Sequence, residues 1–274
     1  MSIKKIGIAS RCDRPEVIEM VRAILDHFSS MVEILVSTST ADVLGIKGVP
    51  VERMRDEGVE LIISVGGDGT VLRNISRMKD PLPILGINMG TLGFLVDVEP
   101  EEAIETIEEV LYGFSYIERM RVDVFLNGEV LETATNEVAI MSGKPAKIIQ
   151  FKVYVDDCLL DEMRADGVVF ATPTGSTAYA MSAGGPIVNP RVNAIVVVPI
   201  APFKLSSRPW VIPSDSEITV RLSISKEAVI AIDGQKSYRI RPDDVVKLKR
   251  SKYPARFVKT SDTCFYERVQ KKLS

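Results

Sequence analysis

The sequence predicts an α/β N-terminal domain built on a parallel, Rossmann-like sheet, followed by a β-rich C-terminal domain. Near-continuous apolar runs such as ELIISV and PILGIN, separated by helical segments, are typical of parallel strands covered on both faces. After about Tyr116, short segments alternate apolar and polar residues, which is typical of antiparallel β structure. Of the 274 residues, 46% are hydrophobic and 26% are charged, a composition that indicates a folded protein.

The N-terminal domain is predicted to alternate strands and helices. The run IKKIGIAS indicates a strand, Pro15–Phe28 a helix, and VEILVS a second strand. A short helix is expected near Val51–Glu57, before the strands ELIISV and PILGIN. The segment PEEAIETIEEVLYG predicts a further helix, because Pro100 opens it, acidic residues fill its first turn and Gly113 can end it.

The β-rich domain is predicted from a series of short alternating segments with one helical interruption at Thr177–Ala183. The segments are MRVDVFL, EVLETATNEVAIM, IIQFKVYVDD, DGVVFAT, NAIVVVPI, EITVRL, AVIAID, SYRIRP, VVKLKR and ARFVKT. The pair Asn127–Gly128 predicts a tight turn, and the final CFYERVQKKL indicates a helix. We therefore expect domains at 1–117 and 118–258, with a tail of about 259–274 that packs back on the first domain.

Net charge and apolar patterning exclude several partners and compartments. The formal net charge is −3, so no basic surface for nucleic acid is expected. No stretch approaches the ~18 uninterrupted apolar residues of a membrane span, and the start MSIKKIGIAS lacks a signal-peptide pattern. Three single cysteines, Cys12, Cys158 and Cys264, predict neither a disulfide framework nor a zinc site. These features predict a cytoplasmic protein.

The sequence contains one histidine, His27, and this limits the available chemistry. In the predicted first helix, His27 falls outside the apolar stripe. That stripe consists of Val17, Val21, Ile24 and Phe28. We therefore expect His27 to be a solvent-exposed helix residue, so that any proton transfer must rest on a carboxylate, Lys, Tyr or Cys.

A glycine-rich segment, GGDGT, follows the strand ELIISV and precedes a helical segment. A strand, a glycine turn and a helix start present backbone N–H groups and the positive end of a helix dipole, which suits phosphate. The candidate phosphate-binding residues are Gly66, Gly67, Gly69 and Thr70. Asp68 stands out, because a carboxylate repels phosphate. We expect Asp68 either to accept a proton from an attacking hydroxyl or to help hold a metal ion.

Two common nucleotide-binding motifs are missing from the sequence. No Gly-x-x-x-x-Gly-Lys-Ser/Thr loop occurs, and IGIASRCDRP stands where a Gly-x-Gly-x-x-Gly fingerprint would follow the first strand. The ordinary P-loop and dinucleotide-dehydrogenase classes are therefore excluded. The structural alternative to a phosphate-binding role for GGDGT is a glycine-rich turn capped by an aspartate.

A second candidate element is RADGVVFATPTGSTAYAMSAGGP, Arg164–Pro186. A strand runs into a tight turn and a short helix, which Ser176 is expected to cap, with the N–H groups of Thr177 and Ala178 pointing outward. Small side chains in this helix leave room for a flat ring, and Tyr179 offers a hydroxyl and a stacking face. The structural alternative is a simple turn between a strand and a helix.

Two further polar features add to the candidate site. Asn136–Glu137 in ATNEVAI interrupts an apolar strand, so these residues either end the strand or point into a site. Asp166, beside Arg164 at the entry of the strand DGVVFAT, suits bidentate hydrogen bonds to a ribose diol.

Taken in order, GGDGT, NE and DG…TPTGSTAY…S…GGP resemble the motifs of the NAD kinase family. The resemblance is close from residue 66 to residue 186 and extends loosely through AIDGQ at Ala231–Gln235. It implies an N-terminal α/β domain, a C-terminal β-rich domain that binds NAD, and a site between them. It also implies a homo-oligomer, a dimer or tetramer, in which a neighbouring subunit closes part of the site.

The resemblance implies roles for individual residues. Asp68 matches the family's proton acceptor, and Arg73 matches a position near the phosphates. Asn136 and Glu137 match the motif at the adenosine end of NAD. The other matched binding positions are Lys147, Arg164, Asp166, Thr174, Thr177, Ala178, Tyr179, Ala180, Met181, Ser182, Ala201 and Gln235. Of these, Asp166 is expected on a ribose or the nicotinamide, and the segment from Thr174 to Ser182 around the adenine and its ribose.

The implied reaction is phosphoryl transfer from ATP or polyphosphate to the 2′-hydroxyl of the adenosine ribose of NAD, which gives NADP. Asp68 would accept the hydroxyl proton as the new bond forms. The implied cofactor is a divalent cation, Mg²⁺, carried by the donor phosphates, and no metal ligands are assigned to the protein.

Four other functions share part of this pattern. Diacylglycerol- and sphingosine-type lipid kinases carry GGDGT, as do phosphofructokinases in variant form, but the net charge of −3 offers no basic face for a membrane. A phosphofructokinase has no use for TPTGSTAY. A module that senses NAD(P) without turnover gains nothing from Asp68, and a phosphatase acting on NADP would use water as the nucleophile.

Overall fold

The structure is a computed structural model that describes residues 2–90, 93–144, 146–204, 206–223, 227–260 and 264–273. Its α-helices are α1 (Pro15–Phe28), α2 (Thr38–Leu44), α3 (Asp68–Ser76), α4 (Ala103–Tyr112), α5 (Tyr179–Ser182) and α6 (Phe265–Leu273). Its strands, in chain order, are β1 (Lys5–Ser10), β2 (Glu33–Val36), β3 (Leu61–Gly66), β4 (Ile84–Asn88), β5 (Tyr116–Arg119), β6 (Val122–Leu126), β7 (Glu129–Ala134), β8 (Glu137–Ser142), β9 (Ile149–Val155), β10 (Cys158–Ala165), β11 (Gly167–Ala171), β12 (Ala194–Ile200), β13 (Trp210–Pro213), β14 (Ile218–Leu222), β15 (Ala228–Ile232), β16 (Lys236–Ile240), β17 (Val245–Arg250) and β18 (Ala255–Val258).

The chain divides into two compact units, and the first comprises Met1–Glu118 and Ala255–Ser274. Its sheet has the order β2-β1-β3-β4-β18-β5, and neighbouring strands from β2 to β18 run parallel. Ile63 of β3 packs in a core shared with α1 and α4, whereas Ile62 packs in a core shared with α3. Because helices cover both faces, these strands are continuously apolar, as the sequence predicts.

Helix α1 shows how closely a periodic sequence can define an element. It spans Pro15–Phe28, the predicted range, with proline at its start. Its buried residues are Val17, Val21, Ile24 and Phe28, the predicted stripe. His27 is exposed, as expected.

The second unit, Arg119–Pro254, consists of two antiparallel sheets. Their orders are β10-β9-β14-β17-β6-β7 and β13-β12-β11-β8-β15-β16. Phe151 of β9 and Phe170 of β11 share one core, so the two sheets face each other. Val169 of β11 lies in a smaller core on the opposite face of its sheet, together with Ala180 of α5. Strand β11 is therefore buried on both sides, which explains its unbroken apolar sequence.

Three predicted segments differ from the structure. ARFVKT, expected in the β-rich domain, forms β18 in the sheet of the first unit. Val51–Glu57 is a one-turn 3-10 helix at Val51–Arg53 followed by turns, and it is not an α-helix. The segment EVLETATNEVAIM is not one strand, because it breaks at Thr135–Asn136 into β7 and β8, which belong to different sheets. The polar pair Asn136–Glu137 marks this break, and the end of a strand is one of the two alternatives that the sequence left open there.

The α/β first unit and the β-rich second unit confirm the predicted fold class. The predicted turn at Asn127–Gly128 is present, with φ values of +53° and +90°. None of the helices in the described ranges is both long and apolar enough to span a membrane.

The contrast between Ile24 and His27 on α1 gives a test of the fold. Ile24 is fully buried, so Ile24→Ala is expected to lower the free energy of unfolding by about 2–5 kcal/mol through loss of contacts and a residual cavity. His27→Ala, on the exposed side of the same helix, is expected to change it by less than about 0.5 kcal/mol. Urea denaturation followed by circular dichroism measures both; comparable losses would contradict this packing of α1.

Candidate active site

The GGDGT segment forms the turn between β3 and α3. Gly66 ends β3 with φ of +157°, and a Cβ atom there would lie 2.3 Å from Thr70 Oγ1. This position therefore requires glycine. The Gly67 carbonyl accepts the N–H of buried Thr70 at 2.9 Å, while Gly69 is exposed on the first turn of the helix. The segment is thus a strand end, a glycine turn and a helix start, the arrangement that suits phosphate.

Asp68, the first residue of α3, is held by the backbone of a loop that follows β4. Its two carboxylate oxygens accept the N–H groups of Phe94 at 2.7 Å and of Leu95 at 3.0 Å. A Cβ atom on Gly93 would lie only 2.0 Å from Asp68 Oδ1, so the loop backbone lies directly against the carboxylate. Asp68 is half-buried, and its carboxylate has a fixed direction.

Arginine side chains gather at the carboxyl end of β1, next to β3. The strand order reverses between β1 and β3, and open α/β sheets bind ligands at such a switch point. The Arg11 N–H donates to the Val65 carbonyl of β3 at 3.2 Å. A hydrogen bond from the Arg11 side chain lowers the pKa of Asp13 to about 2, and the charge of Arg73 on α3 contributes. Positive charge therefore accompanies the glycine turn.

In the second unit, Asn136 and Glu137 are held by the carboxylate of Asp233. This carboxylate accepts three consecutive backbone N–H groups, those of Thr135 at 2.8 Å, Asn136 at 2.7 Å and Glu137 at 3.0 Å. Asp233 lies in the turn between β15 and β16 with φ of +49° and is buried. The break between β7 and β8 is thereby fixed by a residue far along the chain.

Burial and charge control the protonation of Glu137. Burial and, after it, the negative charge of Asp233 together raise the pKa of Glu137 to about 8, against a hydrogen bond from the Tyr179 N–H. Burial also raises the pKa of Asp233, while its three backbone donors and the charge of Arg121 oppose this. At neutral pH, Glu137 therefore carries a proton.

Several buried acceptor atoms next to this pair have no hydrogen-bond partner within the described residues. They are Thr135 Oγ1, Asn136 Oδ1 and Glu137 Oε2. Buried polar atoms are nearly always satisfied, so hydrogen-bond donors of a ligand or of ordered water would complete this cluster. A molecule that presents hydroxyl or amino groups would fit.

The segment after β11 packs directly on this pair. A Cβ atom on Gly175 would lie 2.0 Å from the Asn136 carbonyl oxygen, and the Thr172 N–H donates to that carbonyl at 2.8 Å. Two predicted details of this segment are wrong. Ser176 does not cap a helix: its hydroxyl donates to the Pro173 carbonyl at 2.7 Å and accepts the Val188 N–H at 2.9 Å. The Ala178 N–H does not point outward, because it donates to the Gly175 carbonyl.

The predicted binding residues of the second unit fall into two groups at opposite ends of β11. Strands β8 and β11 are antiparallel, with Glu137 opposite Ala171 and Met141 opposite Gly167. The group at the Ala171 end comprises Asn136, Glu137, Thr174, Thr177, Ala178, Tyr179, Ala180, Met181, Ser182 and, in the Asp233 turn, Gln235. Within it, Thr174, Thr177 and Ala180 are buried, whereas Tyr179 is 38% exposed and Ser182 is exposed.

The group at the Gly167 end comprises Arg164, Asp166, Ala201 and, on the loop after β8, Lys147. The Ser142 N–H donates to the Asp166 carbonyl, and the Asp166 N–H donates to the Ile200 carbonyl at 3.0 Å. The Arg164 guanidinium lies 5.0 Å from the ring centroid of Phe203. All four members are exposed, and Ala201 has a positive φ of +44°. One chain therefore does not bring the two groups together.

Sequence reasoning did not single out Asp233, although it orients the Asn136–Glu137 pair. The available signal was an acidic residue that ends the apolar run AVIAI and precedes a glycine. Within the described ranges, no group of three or more His, Cys, Asp or Glu side chains is arranged to hold a metal ion.

The glycine turn with its fixed carboxylate suits an enzyme that handles phosphate, and comparison with known proteins identifies the class as a phosphotransferase of the kinase type. Family models agree: residues 14–114 match the ATP-NAD kinase N-terminal domain and residues 135–260 the ATP-NAD kinase C-terminal domain. The chain belongs to the NAD kinase family. The family and the enzyme class implied by the sequence motifs are thereby confirmed.

Individual relatives support the same conclusion. An NAD kinase of Methanosarcina acetivorans is 86% identical over 275 residues, with both chains fully covered. An NAD kinase of Thermococcus kodakarensis is 42% identical, covering 93% of this chain and 94% of that protein. An Archaeoglobus fulgidus NAD kinase, solved in complex with ATP, superposes with a TM-score of 0.82 at 30% identity and 98% coverage of each chain.

A yeast NADH kinase, solved with NADH, shows the same fold at low sequence identity. It superposes with a TM-score of 0.90 at 24% identity, covering 99% of this chain and 88% of that chain.

The raised pKa of Glu137 predicts a specific pH dependence of stability. Between pH 4.5, its ordinary pKa, and about 8, the folded chain keeps a proton that the unfolded chain releases. Stability should therefore fall as pH rises through this window. Glu137→Gln removes this loss, so its melting temperature is expected to rise relative to wild type between pH 5 and pH 8.

The matched control is Glu129→Gln, the same side-chain substitution at an exposed residue of β7. Its difference from wild type should stay constant over the same pH range. Scanning calorimetry at several pH values measures both variants; parallel curves for Glu137→Gln and wild type would contradict the buried, protonated state.

Proposed function

We propose that this chain transfers a phosphoryl group from ATP or polyphosphate to the 2′-hydroxyl of the adenosine ribose of NAD, giving NADP. The main support is the cluster of buried acceptors at Asn136 and Glu137, which seeks a hydroxyl- or amino-bearing ligand, in a chain of the NAD kinase family. The names of the relatives, NAD kinases and an NADH kinase, agree with this substrate.

In this mechanism Asp68 is the proton acceptor. The 2′-hydroxyl gives its proton to the carboxylate while its oxygen forms a bond to the terminal phosphorus. The bond from that phosphorus to the donor breaks, and a nucleoside diphosphate or shortened polyphosphate leaves. The N–H groups of Phe94 and Leu95 each occupy one lone pair of the carboxylate, and the remaining lone pairs are available for the proton.

The glycine turn would bind the phosphate that is transferred. Gly66, Gly67 and Gly69 would let the transferring phosphate approach the backbone at the start of α3, Thr70 would hold the turn through its hydrogen bond to the Gly67 carbonyl, and Arg73 would offset the negative charge of the phosphate. A divalent cation, Mg²⁺, would take oxygens of the donor phosphates as its ligands and would neutralise part of their charge.

The group at the Ala171 end of β11 would bind NAD, the acceptor of the phosphoryl group. Asn136 Oδ1 can accept a hydrogen bond from NAD, and the protonated carboxyl of Glu137 can both donate and accept. The exposed ring of Tyr179 offers a stacking face, and Thr174 with the segment Thr177–Ser182 supplies small side chains for the adenine and its ribose.

The group at the Gly167 end is best explained by a second copy of the chain. Arg164, Asp166, Ala201 and Lys147 lie a whole strand away from Glu137. In a homo-oligomer, a dimer or tetramer, they would contact the NAD bound mainly by a neighbouring copy.

Two rival functions receive less support. A lipid kinase would need a membrane-facing surface, and a sensing module would not need a carboxylate fixed at the phosphates. We further propose that the enzyme acts in the cytoplasm, with neither nucleic acid nor membrane as a partner.

The function is tested by Asp68→Asn, assayed with NAD, Mg²⁺ and a panel of phosphate donors. Asparagine cannot accept the proton, so turnover should fall by about 10²–10⁴-fold, while NAD binding measured by calorimetry should stay within a few-fold. In this variant the side-chain amide N–H faces one of the two backbone N–H groups of Phe94 and Leu95. The pH profile of the residual activity is therefore measured as well.

The control for this variant is Asp56→Asn, an exposed carboxylate of the same unit, which should turn over normally. Normal turnover by Asp68→Asn would exclude Asp68 as the base. Faster phosphorylation of diacylglycerol or fructose 6-phosphate than of NAD would refute the proposed substrate.

The role of Asp166 is tested by complementation between copies. Asp166→Ala should lower kcat/KM for NAD by about 10- to 100-fold, the effect of losing one hydrogen bond involving a charge. If Asp166 serves the neighbouring copy, co-folding this variant with Asp68→Asn creates mixed dimers with one intact site. Recovery of about a quarter of wild-type activity at low NAD is then expected. No recovery would mean that Asp166 acts within its own chain.

A further inference from the structure

The last helix of the chain contacts the loop that holds Asp68. Arg268 of α6 donates from Nη1 to the Phe94 carbonyl at 3.4 Å and forms an ion pair with Asp97. The Nζ atom of Lys272, one turn further along α6, lies 4.0 Å from the centroid of the Phe94 ring. Helix α6 thus contacts the backbone, the ring and the far end of the short segment Phe94–Asp97.

Phe94 connects the helix to the carboxylate. Its N–H donates to Asp68 at 2.7 Å, and its carbonyl accepts from Arg268. Val96, two residues after Phe94, is buried against Gly86 of β4, and this contact anchors the segment on its other side. The position of the Phe94 N–H, and with it the direction of the Asp68 carboxylate, therefore depends on contacts from two sides.

None of the residues of α6 is buried, and Phe265, Arg268 and Val269 are half-buried. Arg268 is the most enclosed charge, with its side chain 20% exposed and its partner Asp97 28% exposed. Ion pairs and cation–π contacts at such exposure weaken with salt. Removing Arg268 should therefore release Phe94 without disturbing the cores of the unit.

We propose that α6 is a clamp for the catalytic loop and that Arg268 is a positioning residue, acting through Phe94 on the carboxylate of Asp68. Its effect on turnover rests on the proposed role of Asp68 as base; its effect on the loop does not. A carboxylate free to rotate is badly aligned for proton transfer, so the loss should appear in kcat and leave NAD binding intact.

The test compares Arg268→Ala with Lys271→Ala, which removes the same charge from an exposed position of the same helix. Hydrogen–deuterium exchange of the Phe94 and Leu95 amides is measured first, because it does not depend on activity. Exchange should speed up at least about tenfold in Arg268→Ala and stay at the wild-type rate in Lys271→Ala. Equal exchange in Arg268→Ala and wild type would overturn the proposal.

Kinetics then test the link to catalysis. Arg268→Ala should lower kcat by at least about tenfold with KM for NAD within twofold, and Arg268→Lys, which keeps the ion pair, should restore much of the loss. In the Asp68→Asn background, Arg268→Ala should slow turnover no further. Faster exchange with unchanged kcat would overturn the positioning role, whereas normal turnover by Asp68→Asn alone would refute the proposed base and leave the exchange result standing.

Discussion

Hydrogen bonds from backbone N–H groups to the carboxylate of Asp68 organise the first unit around its site. They join the start of α3 to the loop after β4, and through Phe94 they extend to α6. The contact requires close packing, since Gly93 has no room for a side chain against Asp68 Oδ1. A carboxylate fixed in this way needs little reorientation, which suits the proton transfer proposed for Asp68.

The second unit uses the same kind of contact for a different purpose. Asp233 accepts three consecutive N–H groups and is almost completely buried, whereas Asp68 is half-buried. Because its carboxylate accepts these three N–H groups, Asp233 sets the backbone of Asn136 and Glu137. Burial and the charge of Asp233 raise the pKa of Glu137, which favours its protonated form, a hydrogen-bond donor, over a carboxylate that would repel an anionic ligand.

Local patterns predicted the fold well and the site only in part. Helix α1 and the glycine turn follow from the periodicity of apolar residues and from the positions of proline and glycine, which act over a few residues. The break between β7 and β8 and the hydroxyl partners of Ser176 depend on residues that are distant in sequence, such as Asp233 and Val188. The order of the motifs indicates which residues are candidates for binding NAD and phosphate. It does not indicate the side chains that hold the neighbouring backbone in place, Asp233 and Arg268.

The position of β18 has a consequence for synthesis of the chain. This strand, Ala255–Val258, lies between β4 and β5 in the sheet of the first unit. A ribosome delivers all of Arg119–Pro254 before it delivers β18, so the β-rich unit has its complete sequence while the sheet of the first unit still lacks a member. The unit that begins first is thus finished last. Until β18 is synthesised, the edge of β4 is open to non-native strand pairing. Chaperones that bind nascent chains would be needed most at that stage.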